Sequence, residues 1–211
     1  MNKDIIDKII ETFPGSSHTY RKGTVLTQAH KDPRGVMLLL EGVVEEYDIT
    51  PEGNKMTLNV FKPHAFFPMS WAINKTPNEY FFAAMSDVTI RYAPPEVVVA
   101  FLYDNPEVAF DLLSRVYRGT DALLKRLSLA SAGVASHRLI FELLVEAYRF
   151  GTDAPNNKKH IKVRQSTLAA RSGLARETVS RELHKMAVDR LLTMTKGGLV
   201  LDLERLKERL L

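Results

Sequence analysis

Ile5, Ile6, Ile9 and Ile10 recur at helical spacing in an otherwise polar start, so residues 2–13 are predicted to form a short amphipathic helix. Pro14-Gly15-Ser16-Ser17 closes it. The period then changes to that of strands. Short apolar or alternating runs occur at Val36–Leu40, Val43–Tyr47, Met56–Phe61, Tyr80–Met85 and Val88–Tyr92. Gly23, Gly35, Gly42, Pro51-Glu52-Gly53-Asn54 and Lys62-Pro63-His64 punctuate them. Several short strands at this spacing predict an antiparallel β-sandwich or barrel, with a jelly roll as the natural candidate.

Pro94-Pro95 ends the last of these runs, and Glu96–Tyr103 reads as a short helix. Pro106 opens a longer one, where its missing N–H costs little. Along it Leu113, Val116, Thr120, Leu123, Leu127 and Ala130 recur at alternating steps of three and four, and Leu112 and Leu124 widen the stripe. This is the spacing of a coiled-coil seam, and we expect a dimer contact there. The competing use of such a face is to lie on the β-domain. Further helices are predicted at Ser136–Phe150 and on both sides of Gly173, with a strand at Ile161–Val163. A hairpin of Leu192–Thr195 and Leu199–Leu201 turns at Gly197-Gly198, and Glu204–Leu210 forms a last helix.

The 211 residues carry a net charge of +4, and its distribution matters more than its size. Residues 1–131 hold 14 basic and 16 acidic side chains, whereas residues 132–211 hold 15 and 9. The C-terminal part therefore supplies all of the positive excess, which points to a polyanionic partner. The chain has no cysteine, so disulfides, thiolate metal sites and cysteine nucleophiles are excluded. No run approaches the ~18 apolar residues of a membrane span, and the charged start lacks the apolar core of a signal peptide. A cytoplasmic protein with no membrane partner is expected.

Within the basic part, Thr167 to Arg181 has a specific layout. Leu168 and Ala169 face inward on a first helix, Gly173 permits a sharp turn, and Val179, Leu183, Met186 and Ala187 line the inner face of a second helix. Glu177, Ser180, Arg181 and His184 fall at i, i+3, i+4 and i+7 on the opposite face. That is a helix-turn-helix with a polar second helix, suited to the DNA major groove. Arginine binds guanine O6 and N7 in bidentate fashion, and glutamate accepts from cytosine N4.

The run Leu168-Ala169, Gly173-Leu174 and Arg176-Glu177-Thr178-Val179-Ser180-Arg181-Glu182-Leu183 resembles the recognition motif of the cyclic-AMP receptor protein/FNR (Crp/Fnr) family of bacterial transcription regulators. Leu39-Leu40-Glu41-Gly42 is similar to the signature of that family's β-roll. The resemblance covers nearly the whole chain. It implies an α+β protein: an antiparallel β-roll of cyclic-nucleotide-binding type (1–104), a dimerisation helix (105–132) and a winged helix-turn-helix (133–211). It further implies a homodimer on double-stranded DNA with an inverted-repeat site, half-sites resembling TGTGA or TTGA, and RNA polymerase as a partner. By the family pattern Arg176, Glu177 and Arg181 meet base edges with Ser180 close by, and Gln165, Ser166 and Thr178 meet phosphates. Lys185, one turn further along the helix, is also expected near phosphate. Ala175 departs from the pattern, since relatives often carry a capping Ser or Thr there.

The effector end departs further. Relatives that bind cyclic nucleotides hold the ribose with a Gly-Glu pair and the phosphate with an Arg-Ser pair. Pro68-Met69 and Asn78-Glu79 stand at the matching places, so the arginine is missing and Glu79 would repel a phosphate. Where relatives grip the base with hydroxyls, this chain has Leu123 and Leu124. Cyclic AMP is not expected as the ligand, and no cofactor is predicted. Phe67, Met69, Ser70, Trp71 and Tyr80, with Leu123 and Leu124, either fill the roll or line an apolar effector pocket.

Rival classes fare worse. A cupin-type enzyme needs clustered His and carboxylate ligands, but the histidines at 18, 30, 64, 137, 160 and 184 are never so spaced. An FNR-like iron–sulfur sensor needs cysteines. A haem sensor would draw on His18, His30, His64 or Met69, which no pattern links. A constitutive DNA binder without a small ligand remains open at this point, as does a basic face that meets an acidic protein.

Overall fold

The computed structural model describes residues 3–210, in two compact units that divide between Gly119 and Thr120. Residue 2, where the first helix was expected to begin, lies outside the described residues; that helix is α1 (Lys3–Thr12). There follow β1 (His18–Tyr20), β2 (Val25–Thr27), β3 (Val36–Glu41), β4 (Val44–Ile49), β5 (Lys55–Phe61), β6 (Phe66–Phe67), α2 (Met69–Asn74), β7 (Phe81–Ala84) and β8 (Val88–Ala93). Then come α3 (Pro95–Asp104) and α4 (Pro106–Ser131). The unit boundary therefore falls inside α4 rather than at either of its ends.

The strands form two four-stranded antiparallel sheets, ordered β1-β8-β3-β6 and β2-β7-β4-β5. Met37, Leu39, Val88 and Ile90 of the first sheet and Val44, Phe82 and Ala84 of the second share one buried cluster between the sheets. Val36 and Leu38, the alternate residues of β3, join Ile9 of α1, Phe13 just after it, Val98 of α3 and Val108 of α4 in a second cluster. Burial on both faces explains why β3 reads as a continuous apolar run rather than an alternating one. Gly42 turns β3 into β4 with φ 87°, and a Cβ there would sit 2.2 Å from the Asp87 carbonyl oxygen. Only glycine fits.

Three sequence expectations are corrected. Leu112 packs against the second cluster and so belongs to the N-terminal core, not to the exposed stripe of α4. Residues 69–74, read only as part of an aromatic segment, form α2, whose six residues are too few for a periodic signal. The strand expected at Ile161–Val163 is β10 (Lys158–Ile161), with β9 (Thr152–Ala154) before it. Pairing sets that register: Lys159 stands opposite Leu201 on one side and Asp153 on the other.

The second unit also holds α5 (Ala135–Phe150), α6 (Gln165–Ser172), α7 (Arg176–Val188), β11 (Leu192–Thr195), β12 (Gly198–Leu201) and α8 (Leu203–Leu210). Its antiparallel sheet runs β11-β12-β10-β9. Among the described residues no helix is long and apolar enough to cross a membrane.

Candidate nucleic-acid interface

Gly173 adopts φ 61° and lets the chain leave α6 in a left-handed turn. Leu168 of α6 and Val179, Leu183 and Met186 of α7 are buried in one cluster with Leu139, Ile140 and Leu143 of α5. That apolar stripe fixes which side of α7 faces out. Arg176, Glu177, Arg181, His184 and Lys185 are exposed on it, and Thr178 and Ser180 are half-buried. Ser166 is exposed and Gln165 half-buried at the start of α6. The expected base-facing residues thus share one helix, and Gln165 and Ser166 lie in the first turn of the helix before it. Lys185 is less free than expected, because its ammonium lies 2.9 Å from the nearly buried Glu182 carboxylate. Ala175 sits at the N-cap of α7 with extended backbone and gives no side-chain cap.

Sequence reasoning missed the support of this turn. The Arg138 guanidinium of α5 donates through Nε to the Ser172 carbonyl oxygen at 2.9 Å and through Nη2 to the Gly173 carbonyl oxygen at 2.7 Å. Nη2 also reaches the Ser172 oxygen. One fork thus satisfies the carbonyls that end α6. No local pattern marks Arg138, since its acceptors lie 34 and 35 residues further on.

Two ion pairs also tie α5 to its neighbours. Arg126 of α4 grips Glu142, which is 1% exposed, in bidentate fashion at 2.6 and 3.1 Å. Arg171 of α6 pairs with Glu146, and both are buried. Burial, and then the neighbouring Arg171 and Arg126 charges, hold the Arg149 guanidinium below the ordinary arginine range. Beside the helices, β11 and β12 form a hairpin in which Thr195 pairs with Gly198 and Lys196 stands exposed at the tip. This is the wing expected at Gly197-Gly198.

On α4, Leu113, Val116, Leu123 and Leu127 are 47%, 54%, 48% and 64% exposed, and Thr120 and Ala130 are exposed with them. Phe110 and Tyr117 extend this apolar surface. The candidate effector residues are more dispersed. Phe67 is buried between the sheets, stacked at 4.3 Å on Phe61 and 5.3 Å on Phe82. Met69 and Trp71 pack instead into the cluster beneath the helices, and Ser70 and Tyr80 are exposed. Leu123 and Leu124 are exposed in the second unit. Asn78, one of the pair at the place of the family's arginine, is buried and donates to the carbonyls of Gln28 and Tyr80 at 2.9 Å each. The Glu79 carboxylate lies 3.5 Å from His30. Among the described residues no three His, Asp or Glu side chains gather as metal ligands.

Residues 17–105 match the cyclic nucleotide-binding domain family, and residues 137–209 match the Crp-like helix-turn-helix domain family. The chain is 27% identical over 171 residues to the Transcriptional regulator SdrP of Thermus thermophilus, an alignment that covers 81% of each protein. Among solved structures, it superposes with a TM-score of 0.71 on a CRP/FNR-family transcriptional regulator from Thermus thermophilus, at 25% identity over 92% of this chain and 98% of that one. A CooA variant from Carboxydothermus hydrogenoformans has the same fold, with a TM-score of 0.80 at 22% identity over 96% and 90% of the two chains.

Proposed function

The chain belongs to the Crp/Fnr family of transcription regulators and carries its DNA-binding helix-turn-helix, and we propose that it acts as a homodimer reading an inverted repeat with α7 of each protomer. The observation that carries this reading is the outward face of α7. It presents Arg176, Glu177, Ser180 and Arg181 together, while Val179, Leu183 and Met186 anchor the helix from behind. The two arginines favour guanines, and Glu177 favours a cytosine on either strand. Gln165, Ser166, Thr178 and Lys185 supply phosphate contacts, which position the protein without specifying sequence.

The dimer forms along Leu113, Val116, Thr120, Leu123, Leu127 and Ala130. A stripe this apolar and this exposed costs free energy until something covers it, and its three-four spacing suits a second copy of α4. Twofold symmetry then sets the half-site centres about one helical turn, roughly 34 Å, apart. Binding to chromosomal DNA places the protein in the cytoplasm, with RNA polymerase as the partner the family suggests.

The effector is not cyclic AMP. A carboxylate at Glu79 and an Asn78 whose amide N–H groups are both engaged are what the chain offers where a phosphate would need a cation. The Phe61, Phe67 and Phe82 rings occupy the space between the sheets. That packing favours a second reading for the N-terminal unit: a regulator that binds DNA with no small ligand.

The test is selection of bound sequences from random duplex DNA, with and without cell extract as effector source. An inverted repeat is the expected result. Arg181→Ala should cost about 1–3 kcal/mol and relax one base pair, whereas Lys185→Ala should weaken all sequences alike. Equal losses on selected and random DNA would remove the base-reading role of Arg181.

A further inference from the structure

His184 stands one turn beyond Ser180 and Arg181 on the exposed side of α7. Its Nδ1 lies 2.8 Å from the Ser180 carbonyl oxygen. A carbonyl oxygen only accepts, so Nδ1 carries the ring proton, and in the neutral imidazole Nε2 is left as a bare acceptor. This tautomer matters beside a nucleic acid. A bare Nε2 sets a lone pair against a phosphate oxygen, whereas a protonated ring donates a charge-assisted hydrogen bond to it.

The surroundings suit such a contact. His184 shares an open depression with Arg181, Lys185, Val188 and Asp189. Of the two cations there, Lys185 is drawn to Glu182. Asp189 is the one carboxylate that lines the depression, beside the cations Arg181 and Lys185. Val188 is 81% exposed and leaves the rim open. The backbone bond to Ser180 also holds the ring in place, so little side-chain freedom is lost on binding.

We propose that His184 is a phosphate ligand whose strength depends on protonation, so that duplex affinity rises as pH falls from 8 to 5.5. The inference rests on the reading of α7 as the DNA-facing helix. Arginine and lysine side chains keep their charges across that window, and histidine is the side chain that ordinarily gains one. A homodimer brings two copies of His184 to the duplex. Each phosphate neutralised steepens the slope of log affinity against log salt by about 0.9, so the pair should add about 1.8.

The experiment measures binding of the full-length protein to its selected duplex by fluorescence anisotropy, at pH 5.5 and 8 and at several salt concentrations. Wild type, His184→Gln and His184→Lys are compared. The wild type should bind at least about tenfold tighter at pH 5.5, with the steeper salt slope. His184→Gln should respond little to pH and match the wild type at pH 8. His184→Lys should also respond little, but match the wild type at pH 5.5. If His184→Gln keeps the full pH response, or if the wild type has none, the role of His184 is overturned while DNA binding stands. If no duplex is bound at any pH, the reading of α7 falls and this inference with it.

Discussion

Replacing Arg138 by alanine should loosen the turn between α6 and α7 without touching the N-terminal unit. Its guanidinium serves two carbonyl acceptors of unequal cost. Gly173 is exposed, so water can take over its carbonyl at little loss. Ser172 is 7% exposed, and Arg138 meets its carbonyl oxygen through both Nε and Nη2. A buried carbonyl left without a donor costs about 1–3 kcal/mol, so Arg138→Ala should destabilise the second unit by about 2 kcal/mol. Arg138→Lys keeps the charge but offers one nitrogen in place of a fork, and should recover part of this. Gly173→Ala acts on the same contact. Its Cβ would lie 2.7 Å from the Arg138 Nη2, at a φ of 61° that costs alanine about 1 kcal/mol more. The double variant should therefore lose less than the sum of the two. Urea unfolding followed by far-ultraviolet circular dichroism reads the second unit. Trp71, the single tryptophan, lies in the N-terminal unit, and its fluorescence serves as an internal control. A loss below about 0.5 kcal/mol, or an equal shift in the Trp71 transition, would refute the argument.

Three further outcomes are expected. Leu123→Glu should give monomers or insoluble protein, because a charge buried against its twin is strongly unfavourable, and an unchanged dimer mass in light scattering would count against the seam. Glu46 lies opposite Asn59 and Phe82 in its sheet, and burial pushes its carboxyl up to about 7 from 4.5. A raised carboxyl favours the folded state in its protonated form, so its contribution is full below pH 4.5 and lost as pH climbs through 7. Glu46→Gln should then gain up to about 3 kcal/mol at pH 8 and almost nothing at pH 4, and a pH-independent effect in denaturant titrations would remove the cause. Ala175→Ser should supply the missing cap of α7 and stabilise the second unit by about 1 kcal/mol, read from its urea midpoint.

The elements with long periodic signals are legible in the sequence. The stripe of α4, the inner face of α7 and the apolar run of β3 each repeat often enough for the period of the element to show in residue choice. The helix-turn-helix could be read because its constraints are local: a glycine that must turn, and apolar and polar faces set by one helical period. Short elements left no such mark. The two residues of β6, the three of β9 and the six of α2 form because neighbouring strands and clusters accept them, and β10 takes its register from β12 rather than from its own composition. The same reason hid Arg138, Arg126 and the division of the aromatic residues into two clusters. Leu112 and Leu113 are adjacent and equally apolar, yet one faces the N-terminal core and the other solvent. Local chemistry writes a residue's periodicity into the chain, but which surface its face meets depends on chain segments far away, and only folding brings those together.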